Sequence, residues 1–142
     1  MLIVQDAKEA MLDVKLRCMC IGLPGSGKTY FASTCPKVYH VALSHGEGDT
    51  FKVQPKLRGN IVKVAELVPA NNAELKELFG ELDKGLENGL IHKVINEAKE
   101  MYKSGQVETL VIDTATFLVD YLWDYIETFC KKFNRQGELD IR

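Results

Sequence analysis

The chain has 142 residues, 46% hydrophobic and 27% charged, the make-up of one soluble globular domain with a core of its own. A formal net charge of −2 supplies no overall field to draw it to nucleic acid or an anionic lipid surface, though a local basic patch remains open to it. No apolar run reaches the roughly 18–20 residues of a membrane span, so no membrane partner is expected.

The opening stretch MLIVQDAKEAML carries acids early and lacks a signal-peptide pattern, so a cytoplasmic address is the expectation. The first thirteen residues read as a short helix or an extended lead-in. VKLRCMCI, residues 14–21, first alternates and then turns fully apolar, as in a strand entering a sheet covered on both faces. Cys18 and Cys20 point the same way on that strand. With Cys35 and Cys130 they form no CxxC pair and have no histidine at zinc-ligand spacing. Small buried thiols in a reducing compartment are the plain reading, and a metal or redox role is its rival.

GLPGSGKT, residues 22–29, follows, and it matches G-x-x-x-x-G-K-[ST], the P-loop. Such a loop wraps phosphate with successive backbone N–H groups, which calls for dihedrals and close approaches that a Cβ would obstruct; hence Gly22, Gly25 and Gly27. Leu23, Pro24 and Ser26 fill the cradle, and Tyr30 stands just inside the helix that presents its positive end to the same phosphates. Lys28 can reach the β- and γ-phosphate oxygens, and Thr29 can offer its hydroxyl to Mg²⁺. The rival reading is a plain glycine-rich turn.

KTYFAST, residues 28–34, reads as a short helix stopped by Pro36, and KVYHVAL, residues 37–43, as a second strand. SHGEGDT, residues 44–50, is a loop with two glycines and two acids, in which His45 reads as a polar loop residue before a metal ligand. NIVKVAEL, residues 60–67, is a weaker third strand. NNAELKELFGELDKGL predicts an amphipathic helix with Leu75, Leu78, Phe79 and Leu82 on one stripe and Asn71 or Asn72 as cap. LIHKVINEAKEMYKSG predicts another, with Leu90, Ile91, Val94, Ile95, Ala98 and Met101 inward and Gly105 as the stop. VETLVIDTA, residues 107–115, reads as a buried strand ending in an acid. TFLVDYLWDYIETFCKKF reads as a last long helix with Phe117, Tyr121, Tyr125 and Phe129 at i, i+4 spacing. Strands alternating with helices give an α/β fold with a mainly parallel sheet.

A carboxylate after four apolar residues is costly to bury unless a cation meets it, so Asp113 is the candidate Walker B acid, acting on Mg²⁺ through water. The rival role is a cap on the helix beginning near Thr116. Thr114, not a glutamate, follows Asp113, so a water-activating group must lie elsewhere. Glu47, at the carboxyl end of the second strand, is the candidate, with Asp49 as competitor and a solvated loop acid as the plain alternative. Lys131, Lys132 and Arg135 suit the negative end of the last helix; the rival is a contact to DNA or to a neighbouring subunit's nucleotide.

GLPGSGKTYFAS, the acid-bearing loop after the second strand, and VETLVIDTATFL together resemble the phage-type nucleotide-binding proteins of the RecA-like P-loop ATPases, within the AAA-domain superfamily. The resemblance spans roughly residues 15–129, and its specific parts are the two Walker segments. It implies a three-layer P-loop NTPase fold with a RecA-like core, ATP and Mg²⁺ binding, and hydrolysis. It further implies work on single-stranded DNA with a recombination or single-strand-binding protein; a homo-oligomer stays open, and a phage-encoded chain would work in the host cytoplasm. Carried over, Lys28 and Thr29 are the P-loop pair, Asp113 the Walker B acid and Glu47 the catalytic acid. SHGEGDT lacks the aspartate that usually precedes that glutamate, and Thr114 stands where serine is common.

RecA-like sheets place a later strand between the P-loop strand and the Walker B strand, whereas this sequence reaches GELDIR one helix after Asp113. Residues 1–142 therefore read as one P-loop domain, incomplete at the C-terminus as the N-terminal part of a longer RecA-like domain; kinase-type order, with the two Walker strands adjacent, is the alternative. Two functional rivals accompany the ATPase. A P-loop small-molecule or nucleotide kinase would carry an arginine-rich lid, whereas Arg17, Arg58, Arg135 and Arg142 are scattered. A non-hydrolysing nucleotide-responsive binding module fits the uncertain water-activating group.

Overall fold

The computed structural model describes residues 17–46, 60–81 and 86–129. Its centre is β1 (Val38–Ala42), every residue of which is buried. β2 (Ile61–Glu66) pairs along one side of β1 and β3 (Thr109–Asp113) along the other, giving a three-stranded sheet of order β2-β1-β3 with both pairings parallel. The register sets Val38 opposite Thr109, His40 opposite Val111 and Ala42 opposite Asp113. Period-two alternation then divides β1 between two faces. Tyr39 and Val41 join the helices in the core, and Val38, His40 and Ala42 face the other way.

The helical layer on the Tyr39 side comprises α2 (Asn72–Phe79), α3 (Leu90–Lys103) and α4 (Ala115–Phe129), in the α/β alternation expected. Leu75, Leu78 and Phe79 of α2, Val94 and Ala98 of α3, and Tyr125 of α4 close on Val41, Leu43, Leu67 and Val107. Fully burying each larger apolar side chain stabilises by about 1.5–3 kcal/mol, which is why these stripes, not helix propensity, hold the layer in place. Asn71 caps α2 as expected, its side chain accepting from the amides of Ala73 and Glu74. Phe79 and Tyr125 meet ring to ring at 5.3 Å, and the Tyr125 hydroxyl donates to the Gly80 carbonyl at 2.6 Å.

α2 is shorter than its leucine stripe predicts. It ends at Phe79 because Gly80 turns to φ 87° and its backbone packs so close to Gly89 that a Cβ there would stand 2.7 Å from the Gly89 nitrogen. Leu82 and the opening residues 1–16 lie outside the described residues.

Two expectations are overturned. The described part of the expected first strand, residues 17–21, is not a strand, and Cys18 and Cys20 are exposed instead of buried. A strand exists only through its ladder partners, and among the described residues none pairs with this run. Its apolar side chains are therefore open, Met19 at 78% and Ile21 at 86%. The second correction concerns β3, which is only partly buried: Leu110 and Ile112 are 42% and 39% exposed. Among the described residues β3 has a strand neighbour on one side only, and none of them pairs along its outer edge.

Candidate functional site

α1 (Lys28–Ser33) is joined to the sheet through Thr29, whose hydroxyl reaches Asp113 at the end of β3. The loop before it is bent as the glycine pattern requires. Gly25 and Gly27 sit at φ 77° and 86°, where a side chain is strained, and Gly27 serves as N-cap with no side-chain cap bond. At Gly22 an added Cβ would meet the Ser26 hydroxyl at 2.6 Å. The Ser26 amide closes the turn on the Leu23 carbonyl at 3.2 Å. Leu23, Pro24 and Tyr30 are exposed on this loop and the start of α1. The Lys28 ammonium folds back over the loop, donating to the carbonyls of Gly22 and Leu23 at 2.8 Å each. A short tether of that kind keeps the cation at the mouth of the loop.

Asp113, at the C-terminal end of β3, comes to the same place across 84 positions of sequence: the Thr29 hydroxyl donates to its Oδ2 at 2.6 Å. Asp113 is only 6% exposed. Beneath it stands His40, wholly buried in the middle of β1, with Nε2 3.5 Å from the same Oδ2, long for a hydrogen bond. His40 holds the Asp113 carboxyl below the usual carboxylate value, burial pushes against that shift, and the Thr29 hydroxyl adds to the lowering, with the Lys28 charge contributing at longer range. The carboxylate is thus kept ionised in a nearly closed setting. The Asp113–Thr114 peptide bond is cis.

The structure therefore brings Gly22, Gly25, Gly27, Lys28, Thr29 and Asp113 together. A hydroxyl and a buried, ionised carboxylate 2.6 Å apart are hard oxygen donors, the set Mg²⁺ takes, and both fit that ion. Glu47 and its competitor Asp49 lie outside the described residues, as do Lys131, Lys132 and Arg135. His45 is exposed and its Nδ1 meets Glu66 at 3.1 Å. Among the described residues no group of three or more His, Cys, Asp or Glu forms a metal cluster, and Cys18 and Cys20 only approach each other, with sulfurs 3.9 Å apart. A surface cleft between α2 and α4, lined by Asn71, Tyr121 and Asp124 among others, includes no P-loop residue.

Residues 14–142 match the family model of the AAA domain. The chain belongs to the AAA-domain family. No curated protein and no solved structure gave a match. AAA domains generally bind nucleotide with Mg²⁺, and the family gives the P-loop fold to which the parallel sheet conforms. No helix among the described residues is long and apolar enough to cross a membrane.

Two features of this AAA domain escaped the sequence reading. One is His40, whose signal was a polar residue inside the apolar run KVYHVAL. The other is Leu43, whose amide donates to the Asp113 carbonyl at 2.7 Å and whose carbonyl accepts from the Tyr121 hydroxyl at 2.9 Å. No pattern in the sequence marks such a backbone junction.

Proposed function

We propose that this chain binds Mg-ATP in the loop of residues 22–29 and hydrolyses it, as a RecA-like P-loop domain serving phage DNA recombination or replication. The observation that carries the reading is the Thr29–Asp113 hydrogen bond, which sets the P-loop hydroxyl beside the acid at the end of β3. The parallel pairing of β3 with β1 suits a P-loop domain, with the acid at the end of β3 beside the loop. Residues 1–142 then form one nucleotide-binding domain.

In this reading the amides from Gly25 to Thr29 receive the phosphates, and the helix N-terminus adds its positive end. Lys28 exchanges the Gly22 and Leu23 carbonyls for β- and γ-phosphate oxygens. The Thr29 hydroxyl and the Asp113 carboxylate would hold Mg²⁺, Asp113 through water, and the bound ion would neutralise charge developing on the transferred phosphoryl group. Glu47 would orient the attacking water from the loop after β1. Single-stranded DNA, a recombination or single-strand-binding protein, and further copies of the chain are the proposed partners, and the cytoplasm of a phage's host the proposed setting.

Isothermal titration with Mg-ATP tests the core of this. Saturable binding is expected, weakened tenfold or more in Lys28→Ala, about 1.4 kcal/mol. A folded chain that takes up no nucleotide, or a Lys28→Ala variant that binds as the parent does, defeats it. Phosphate released without a phosphorylated acceptor, and faster with single-stranded DNA, separates the ATPase from both the kinase and the non-hydrolysing module.

A further inference from the structure

His40 is the one buried side chain on the site's face of β1 that has no packing reason to be polar. Its neighbours on that face of the strand are Val38 and Ala42, and its register partners are Val64 and Val111. Taking an imidazole out of water costs about 1–3 kcal/mol unless the polar atoms it carries are put to use, and an aliphatic residue would fill the same space without that cost. One group that can use it is the Asp113 carboxylate, 3.5 Å from Nε2.

The two groups on Oδ2 come from different parts of the fold. Thr29 belongs to the loop-bound helix α1, and in the proposed reading its hydroxyl is also a metal ligand. His40 belongs to the central strand, paired on both sides. Thr29 would therefore divide its hydroxyl between the carboxylate and the ion, whereas His40 meets the carboxylate from the paired sheet. An Nε2–H tautomer would face Oδ2 from below at 3.5 Å and steady one carboxylate oxygen, with Oδ1 left open to the site.

We propose that His40 is a positioning residue for Asp113, fixing from the sheet side the carboxylate that would hold Mg²⁺ beside the nucleotide. This rests on the nucleotide-binding reading above. The role depends on a donor at the Nε2 position, not on ring shape or charge. Glutamine places an amide nitrogen close to where Nε2 stands, asparagine places its own nearer Nδ1, and leucine keeps the bulk without a donor.

The experiment measures binding of a fluorescent ATP analogue to the whole chain, with Mg²⁺ and then with chelator, for the parent and for His40→Gln, His40→Asn and His40→Leu. Removing such a partner of a metal-holding residue typically lowers metal affinity 10–100-fold. The Mg²⁺-dependent gain in affinity is expected to fall about tenfold or more in His40→Leu and His40→Asn and to return to within about twofold of the parent in His40→Gln. Affinity in chelator should stay level across the folded variants. Equal Mg²⁺ dependence in parent and His40→Leu overturns the proposal while leaving nucleotide binding intact. If His40→Leu fails to fold, the Gln and Asn pair decides, and equal losses in both overturn it. A parent chain that binds no nucleotide in either condition overturns the functional reading and this inference together.

Discussion

Replacing Thr29 by valine keeps the shape of the side chain and removes only the hydroxyl that donates to Asp113 Oδ2 at 2.6 Å. A hydrogen bond to a charged group contributes about 1.5–3 kcal/mol. Thr29 is half-buried and Asp113 nearly closed to water, so the lower end, about 1.5 kcal/mol, is the expected loss. The sign with pH follows from the lowered carboxyl of Asp113. A carboxyl whose folded value lies below its unfolded value stabilises fully above about pH 3.9 and loses that contribution as pH falls towards the folded value. Thr29→Val should therefore be less stable than the parent at neutral pH, with the gap narrowing in acid as Asp113 takes up its proton in both proteins. Urea unfolding of the two proteins from pH 7 down to pH 3 reads this directly. A gap that is absent at pH 7, or that stays constant through the acid range, refutes the coupling between loop and strand.

Two further outcomes test the framework that carries the site. Tyr125→Phe should cost about 1–3 kcal/mol in chemical denaturation, because the buried Gly80 carbonyl loses a donor at 2.6 Å; an unchanged midpoint would show that the phenol does not tie α4 to the end of α2. The Tyr39 phenol, pushed up to about 12 by burial and then by its 2.8 Å bond to Glu97, contributes stability below about pH 10 that is lost as pH rises through its folded value. Ultraviolet titration should show a step near that value which Tyr39→Phe removes and Glu97→Gln lowers only in part, since burial remains; a Tyr39 titrating with the ordinary tyrosines refutes the network.

What the sequence disclosed is what local pattern encodes. The glycine spacing of residues 22–29 specified a bent loop because few residues accept φ near +80°, and the structure has Gly25 and Gly27 there. Leucine and alanine stripes specified the inward faces of α2 and α3, and Asn71 announced a helix start through its own side-chain chemistry. Pairing was not legible. Residues 14–21 have the composition of a covered strand, yet composition does not name a neighbour, and the described part of the run stands unpaired and exposed. The same gap explains β3, whose apolar TLVI run implied burial while Leu110 and Ile112 are exposed and no described strand pairs along its outer edge. His40 was hidden for another reason: its meaning comes from Asp113, 73 positions away, which only the register of β1 against β3 brings beside it.

Leu43 gives the architecture a mechanical property. Its amide is fastened to the Asp113 carbonyl and its carbonyl to the Tyr121 phenol, so the residue from which the loop of Glu47 departs is pinned through both of its backbone polar groups. That loop springs from a fixed post shared with the β3 acid and the helix behind it. Any tilt of α4 would pull on the post through Tyr121, and any shift of Asp113 would pull through its carbonyl, so the root of the loop registers displacement of either without itself touching a phosphate.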